Sequence, residues 1–483
     1  MMRVYGAIVK LVLTSLSLMV VSGVSADVYI QCPGDLDGDG VIDNTGDPFH
    51  QEHPNAVCQS ITGGDGYVNM ADTTVTGGTR GRQLYIFGFS DVTGVAPADV
   101  IETATTGATF PGPKIEVAEG DELFLSLTNV GMAGRPDLDD PHTVHWHGYP
   151  DAAPLFDGLP DVSISVHMGG TLTYYYNANN PGTYMYHCHV EATEHMQMGM
   201  LGNLYVTAAQ NNLPDGTDLD GFTHHDGYSY AYNDGDGSTY YDVDYPLQLA
   251  SFDPEFHDAS ENTQPLPFAL MNDTYPMING RGYPETLIPG ALANTANGVL
   301  SQPEDALISA FPGDKVLLRL SNLSITQFFT IISPQAPMKI VGTGAHQLTG
   351  TNGADLSYMT NSVTMGGGQA FDAIIDTADL DPGTYFIYTS NLNNLSNNTE
   401  ARGGIMTEIR ILDPVLAELA LATSPNEAEN VQLSPNLALA AARAALAEQG
   451  VATGSNADWL AERNLKLAER DRLFSDRDQL LNP

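Results

Sequence analysis

YMYHCHVEATEHMQMGM, running from Tyr184 to Met200, sets a single cysteine between two histidines, adds a third histidine and closes on Gly-Met. Donors of this softness suit copper, because a thiolate, two imidazoles and a long axial thioether make the trigonal blue-copper site. The run offers Cys188 as the thiolate, His195 as one imidazole and Met200 as the axial ligand, with Met196 and Met198 as rivals to Met200. A second imidazole comes from HTVHWHG, where His142, His145 and His147 fall on what reads as a strand. Alternation along a strand puts His145 and His147 on one face, suited to a shared metal, and turns His142 the other way, toward a different copper. A histidine standing alone is more often a surface or hydrogen-bonded residue. Here His142, His145, His147, His187, His189 and His195 crowd with Cys188 into two short segments, and metal binding follows from the pattern.

On these motifs the chain resembles the multicopper oxidases, in the superfamily that includes laccases and copper nitrite reductases. FPGPKIEVAEGDELFLSLTN (Phe110 to Asn129) is similar to the opening strands of such a domain, and HTVHWHGYPDAAPLFDGLP, NPGTYMYHCHV and MGMLGNLYV follow in the family's order. YPMINGRGYPETL and the stretch from Val316 to Asp376 resemble a second domain, so the likeness covers about residues 83 to 413. It implies an all-β protein of two cupredoxin-like Greek-key β-sandwiches. It also implies that His142, Cys188, His195 and Met200 hold a type 1 copper, His145 a type 2 copper, and His147, His187 and His189 a coupled type 3 pair. Asp157 in LFDGLP corresponds to an acid that helps deliver protons in the family; the alternative is a turn residue before Gly158. Two residues more than in the usual laccase pattern separate Cys188 from His195.

A larger departure lies in the second domain. A three-copper cluster in this family takes eight histidines, four from each of two domains, and the first domain supplies four. Where the second should carry its pairs it reads QFFTIISPQ and GTYFIYTSNLNNL, and its two histidines, His257 and His346, are isolated, as surface or packing residues usually are. This domain resembles the copper-free spacer of three-domain oxidases. Three functions follow as expectations. The first is an oxidase that takes single electrons from a phenol, an amine or a metal ion and reduces dioxygen, with a second copy or a partner subunit completing the cluster. The others are a non-catalytic blue-copper carrier or copper-binding protein, and an enzyme like nitrite reductase. Keeping His145, His147, His187 and His189 argues against a pure carrier, which needs only the type 1 set.

The 483 residues are too many for one sandwich, and 48 glycines and 29 prolines punctuating short alternating runs read as all-β. Residues 1–26 have Arg3 and Lys10 ahead of an apolar core and a V-S-A end, a secretory signal pattern too short for a membrane span. A periplasmic or secreted protein is expected. The net charge of -41, which loss of two basic residues takes to -43, disfavours nucleic acids and acidic membranes. Outside a reducing compartment Cys32 and Cys58 can pair, stapling an N-terminal extension over residues 27–82. Between them GDLDGDGVIDNTGD alternates Asp35, Asp37, Asp39 and Asp43 around Gly40, with Asp47 beyond, and resembles calcium-binding repeats; the alternative is a solvated acidic loop. The copper domain is placed at 83–208, an acidic glycine-rich linker at 209–244, with a solvated His224–His225 pair and the potential to act as a lid, and the second domain at 245–413. Beyond that, Ser434 with Pro435 and Ser455 with Asp458 open two helices within residues 414–483.

Overall fold

The computed structural model describes residues 28–71, 81–262, 265–398 and 400–413. The expected signal segment and the expected C-terminal helices lie outside these residues.

Eight strands build the first sandwich. β1 (Ala56–Asn69), β2 (Gln83–Asp91), β4 (Glu122–Gly131) and β6 (Thr171–Asn177) form one sheet in the order β2-β1-β4-β6, with β1 and β4 parallel. β3 (Gly112–Ala118), β5 (His145–His147), β7 (Gly182–His187) and β8 (Leu201–Thr207) form the other, in the order β3-β8-β7-β5. Their facing side chains, among them Ile61, Phe87, Ile115, Leu125, Trp146, Tyr186 and Val206, make one apolar core. Trp146 is fully buried and stacks on Tyr176 with ring centroids 3.9 Å apart. A core aromatic of this kind costs about 3–5 kcal/mol when truncated to alanine.

The sandwich starts earlier than expected. β1 comes from the segment read as an extension, yet it is an inner strand of the first sheet, paired with β2 on one side and β4 on the other. The Cys32–Cys58 disulfide ties the chain ahead of β1 directly to that strand.

The second domain packs a sheet containing Val243–Phe252, Lys315–Asn322 and Gln369–Asp376 against one containing Phe329–Ile332, Gly383–Thr389 and Met406–Ile411. Leu247, Leu318, Phe329, Ile340, Ile375 and Ile409 are part of its core. The two domains share a dry seam in which Phe110, Met185 and Leu201 meet Phe252, Tyr275 and Leu323. β7 is buried at every residue for this reason. Tyr184 and Tyr186 point into the first core while Met185 enters the seam, so both faces of the strand are covered.

The 209–244 segment departs from its linker reading. Its tyrosines fold it onto the second domain, where Ala231, Tyr232 and Tyr241 pack with Leu317, Val341 and Ile374. His224, expected in solvent, is fully buried with Nδ1 2.9 Å from the Tyr230 hydroxyl, while His225 stays accessible beside Asp215. The segment is not a lid over the histidines, since none of its residues lines their cleft.

Candidate metal centres

Pairing of β5 with β7 brings the two motifs together, with His145 opposite His187 and Trp146 opposite Tyr186. Trp146 fills the core, so His145 and His147 must face the other way. His142, joined to Val166 by an isolated bridge, lies on the opposite side with Cys188. The alternation expected from HTVHWHG and from the H-C-H triplet therefore sorts the histidines into two groups.

The first group is buried. Ligand atoms of His142, Cys188 and His195 lie within 4.8 Å of one another, and all three side chains are fully inaccessible. His195 places Nδ1 3.1 Å from the Cys188 sulfur, and its Nε2 lies 2.9 Å from Asp140 Oδ1. An outer carboxylate of this sort fixes the ring and leaves the inner nitrogen for a metal. His142 has neither nitrogen in a hydrogen bond. Leaving a buried polar group unpaired costs about 1–3 kcal/mol, which a bound cation would remove. The Thr143 amide donates to the Cys188 sulfur at 3.4 Å, and the His189 amide donates to the Thr143 hydroxyl at 3.1 Å, pinning the two motifs together. Burial would raise the Cys188 thiol, but the charge and hydrogen bond of His195, with His142 close by, outweigh it and bring the thiol down to about 5. A thiolate ready at neutral pH is what copper requires.

The longer spacing between Cys188 and His195 is taken up by a turn into a short helix, Ala192–Met198, which carries His195 itself, is entered through Glu191 at φ 44° and is closed by Gly199 at φ 117°. Of the three candidate methionines, Met200 and the His142 ring both flank Gly63, where a Cβ would come within 2.6 Å of the His142 ring and 3.3 Å of the Met200 methyl. Met196 instead lines the other cleft; Met198 and Met200 both belong to the apolar core, and the shared contact with Gly63 is what sets Met200 beside His142. Gly63 and Asp140 were not singled out in the sequence. Asp140 carried a faint signal, an acid two residues before a ligand histidine; Gly63 carried none, because its role is to leave room for side chains far away in the chain.

The second group opens on a cleft of about 480 Å³ between the domains. His145, His147 and His187 bring ligand atoms within 4.8 Å of one another. The His145 Nδ1 is 2.6 Å from the Asp157 carbonyl oxygen and the His187 Nδ1 is 2.8 Å from the Cys188 carbonyl oxygen, which leaves both Nε2 atoms for a metal. The His147 Nδ1 lies 3.3 Å from the His187 Nε2. His189 stacks on His187 at 5.6 Å and stands outside the three-nitrogen set. Burial keeps these imidazoles neutral, moving His145 and His147 below their ordinary value and His187 to about 3. Asp157 reaches His145 chiefly through its main chain, with its carboxylate 3.5 Å from the ring.

Opposite these rings the second domain presents residues 323–328 and the Gly367–Gly368 turn, and no imidazole. His257 is buried elsewhere, with ring nitrogens 2.6 Å from the Tyr85 carbonyl and 3.0 Å from the Gln197 carbonyl, and His346 is exposed. In the acidic loop the structure brings Asp35, Asp37 and Asp39 within 4.8 Å. Asp43 is not in that set and accepts from the Leu36 amide. Asp47 does not join them either; its carboxylate caps the helix Pro48–Glu52 by accepting from the Phe49 and His50 amides.

Family models described as multicopper oxidase match residues 93–211 and 256–409, together more than half of the chain. Among curated proteins the chain is 38% identical over 91 residues to multicopper oxidase MmcO of Mycobacterium tuberculosis, covering 19% of this chain and 16% of that one. It is 26% identical over 300 residues to Laccase-2 of Botryotinia fuckeliana, covering 62% and 43%. The chain thus spans less than half the length of either relative. Among solved structures it resembles the blue copper oxidase from Nitrosomonas europaea with a TM-score of 0.50 and 21% identity, covering 78% of this chain and 91% of that one, a likeness of fold.

Proposed function

We propose that this chain, which belongs to the multicopper oxidase family, is an exported copper oxidase that takes electrons singly from a small donor and passes them to dioxygen. The observation that carries the reading is the pair of histidine groups joined through one tripeptide. Cys188 belongs to the buried His142–Cys188–His195 set, and its neighbour His187 belongs to the cleft set. Copper supplies one-electron redox chemistry at both places. The chain's own residues fix the geometry: Asp140 orients His195, the Asp157 and Cys188 carbonyls orient His145 and His187, and the peptide link from Cys188 to His187 gives a short bonded route between the two sets. Met200, which shares Gly63 as a neighbour with His142, would supply the thioether donor. Asp157, beside His145 at the cleft, is the proton-handling acid of this reading. Export to a periplasmic or extracellular space accords with the Cys32–Cys58 disulfide.

Anaerobic addition of a one-electron donor should bleach the blue protein, and admitting air should restore the colour while oxygen is consumed. A protein that bleaches but stays colourless in air, with no oxygen uptake, is a carrier. That second reading draws on the second domain, which faces the cleft without an imidazole. Nitrite as the oxidant is separated by the same experiment run with nitrite in place of air.

Calcium in the acidic loop is the remaining part of the proposal, supported by the convergence of Asp35, Asp37 and Asp39. A cation that binds only the folded chain at 100 times its Kd adds about 2.7 kcal/mol of stability. Millimolar calcium should therefore raise Tm, and D37A/D39A should abolish the rise without changing copper content. An unchanged Tm returns the loop to plain surface.

A further inference from the structure

We infer that the cleft is built for a single copper ion on His145, His147 and His187 and not for a three-copper cluster; this rests on the oxidase reading and specifies its oxidant-reducing site. Three observations carry it. The first is the donor set. Three imidazole nitrogens converge within 4.8 Å, and in two of the rings a carbonyl already holds the other nitrogen, so each ring has one atom to give. His189 lines the same cleft but lies outside that set, although only Cys188 separates it from His187.

The second is the opposite wall. Ser324, Thr326 and Gln327 offer neutral oxygens and an amide where a cluster would need further imidazoles, and neutral oxygen is a poor match for copper. Among the described residues no aspartate or glutamate is in the lining; the nearest carboxylate, that of Asp157, stands behind His145 at 3.5 Å from its Nδ1. A three-copper cluster would need eight imidazoles and the lining supplies four, whereas three converging nitrogens are enough to hold one ion.

The third is the fit of the wall itself. Gly368, at φ 83°, lies so close to His147 that a Cβ there would stand 2.6 Å from the ring's Nε2. The second domain thus holds the ring with Nδ1 turned toward His187, 3.3 Å from its Nε2. Neither remaining histidine of this domain can serve: both His257 nitrogens face carbonyls, and the His346 ring is 2.7 Å from the Gly344 carbonyl on an exposed turn. The cleft as a whole, about 480 Å³ and lined beyond the histidines by Met196, Leu323, Ile325 and Phe328 as well as by hydroxyls and an amide, has room for a small oxidant beside a metal ion.

The test loads the full chain with copper, removes the excess, and measures copper per chain, solution mass and the paramagnetic resonance spectrum. The expected result is one type 1 and one type 2 signal of equal intensity, accounting for all the copper. H145A should lose the type 2 signal and half of the copper while staying blue, the colour reporting that the variant is folded. H189A should keep both signals. Copper that is silent in the spectrum, at more than one ion per cleft, overturns the inference, whether the extra ligands come from a second copy or another subunit. A blue protein with an empty cleft overturns it too. A colourless protein with no type 1 signal defeats the oxidase reading instead.

Discussion

Cys188→Ser should abolish the intense blue colour of the copper-loaded protein and reduce donor oxidation to background. The sulfur is the one anionic donor in a set otherwise made of neutral imidazoles and a thioether, and the charge-transfer band that gives such sites their colour belongs to the copper–thiolate bond. The surroundings of the residue are tuned to the thiolate: the Thr143 amide points at the sulfur, and His195 and His142 bring the thiol down to about 5. A serine hydroxyl stays protonated at neutral pH and shares none of this. The fold should survive, because the side chain is small and its loss leaves the core tyrosines Tyr174 and Tyr186 in place. Copper should also cease to raise Tm through this site, since ligand-linked stabilisation disappears with the affinity. Absorption spectra of the wild type and the variant at equal copper loading decide it; persistence of the colour would mean that another residue is the charge-transfer ligand.

The grouping of these side chains was legible because copper chemistry restricts residue type so strongly, and because strand alternation predicts which histidines share a side. His145 and His147 fell together and His142 apart, as the period of two required. Cys32 and Cys58 were legible by arithmetic, being the cysteines left once Cys188 is assigned to metal.

Other features depend on contacts that composition does not encode. β1, AVCQSITGGDGYVN, reads as part of an N-terminal extension; in the fold its Gly63 and Gly66 lie where His142 and Ala108 approach too closely for a side chain. His224 sits among aspartates and glycines in the sequence, but the tyrosines spaced along 228–241 close over it. Asp47 looked like one more oxygen ligand, and the Pro48 that follows it was the sign of a helix cap instead. The wall facing the histidines comes from residues more than a hundred positions downstream, so neither its lack of imidazole nor the pressure of Gly368 on His147 could be weighed as a site before the domains were docked.

Asp372→Ala should lower stability by about 3–5 kcal/mol and empty the cleft of copper while leaving the blue site filled. Asp372 is 1% exposed and belongs to a buried network that crosses the domain boundary. One carboxylate oxygen accepts from the Thr183 hydroxyl of β7 at 2.6 Å, and the other accepts from the Tyr232 hydroxyl at 2.5 Å. Arg319, itself 2% exposed, lies 4.0 Å away, donates to Asp244 at 2.7 Å and stacks over Tyr205 at 4.8 Å. Deleting one member of a buried charged set leaves its partners desolvated and unpaired, which is where a cost of about 3–5 kcal/mol arises. Asp244 still faces Arg319 in the variant, so the loss should fall nearer the lower figure. The functional consequence follows from position. Thr183 and His187 lie on the same strand, and Asp372 and Gly368 lie close together in the facing segment, so this latch holds the Gly368 wall against His147. Without it the wall should loosen and the cleft ligands lose their fixed geometry, whereas His142, Cys188 and His195 remain enclosed by the first domain. Asp372→Asn, which keeps one acceptor oxygen for one of the two hydroxyls and turns an amide donor to the other, should cost less than the alanine change and retain cleft copper. Thermal melts with the type 1 and type 2 signals measured in parallel separate these outcomes, and equal loss of both signals in the alanine variant would show that the latch supports the whole molecule and not the cleft.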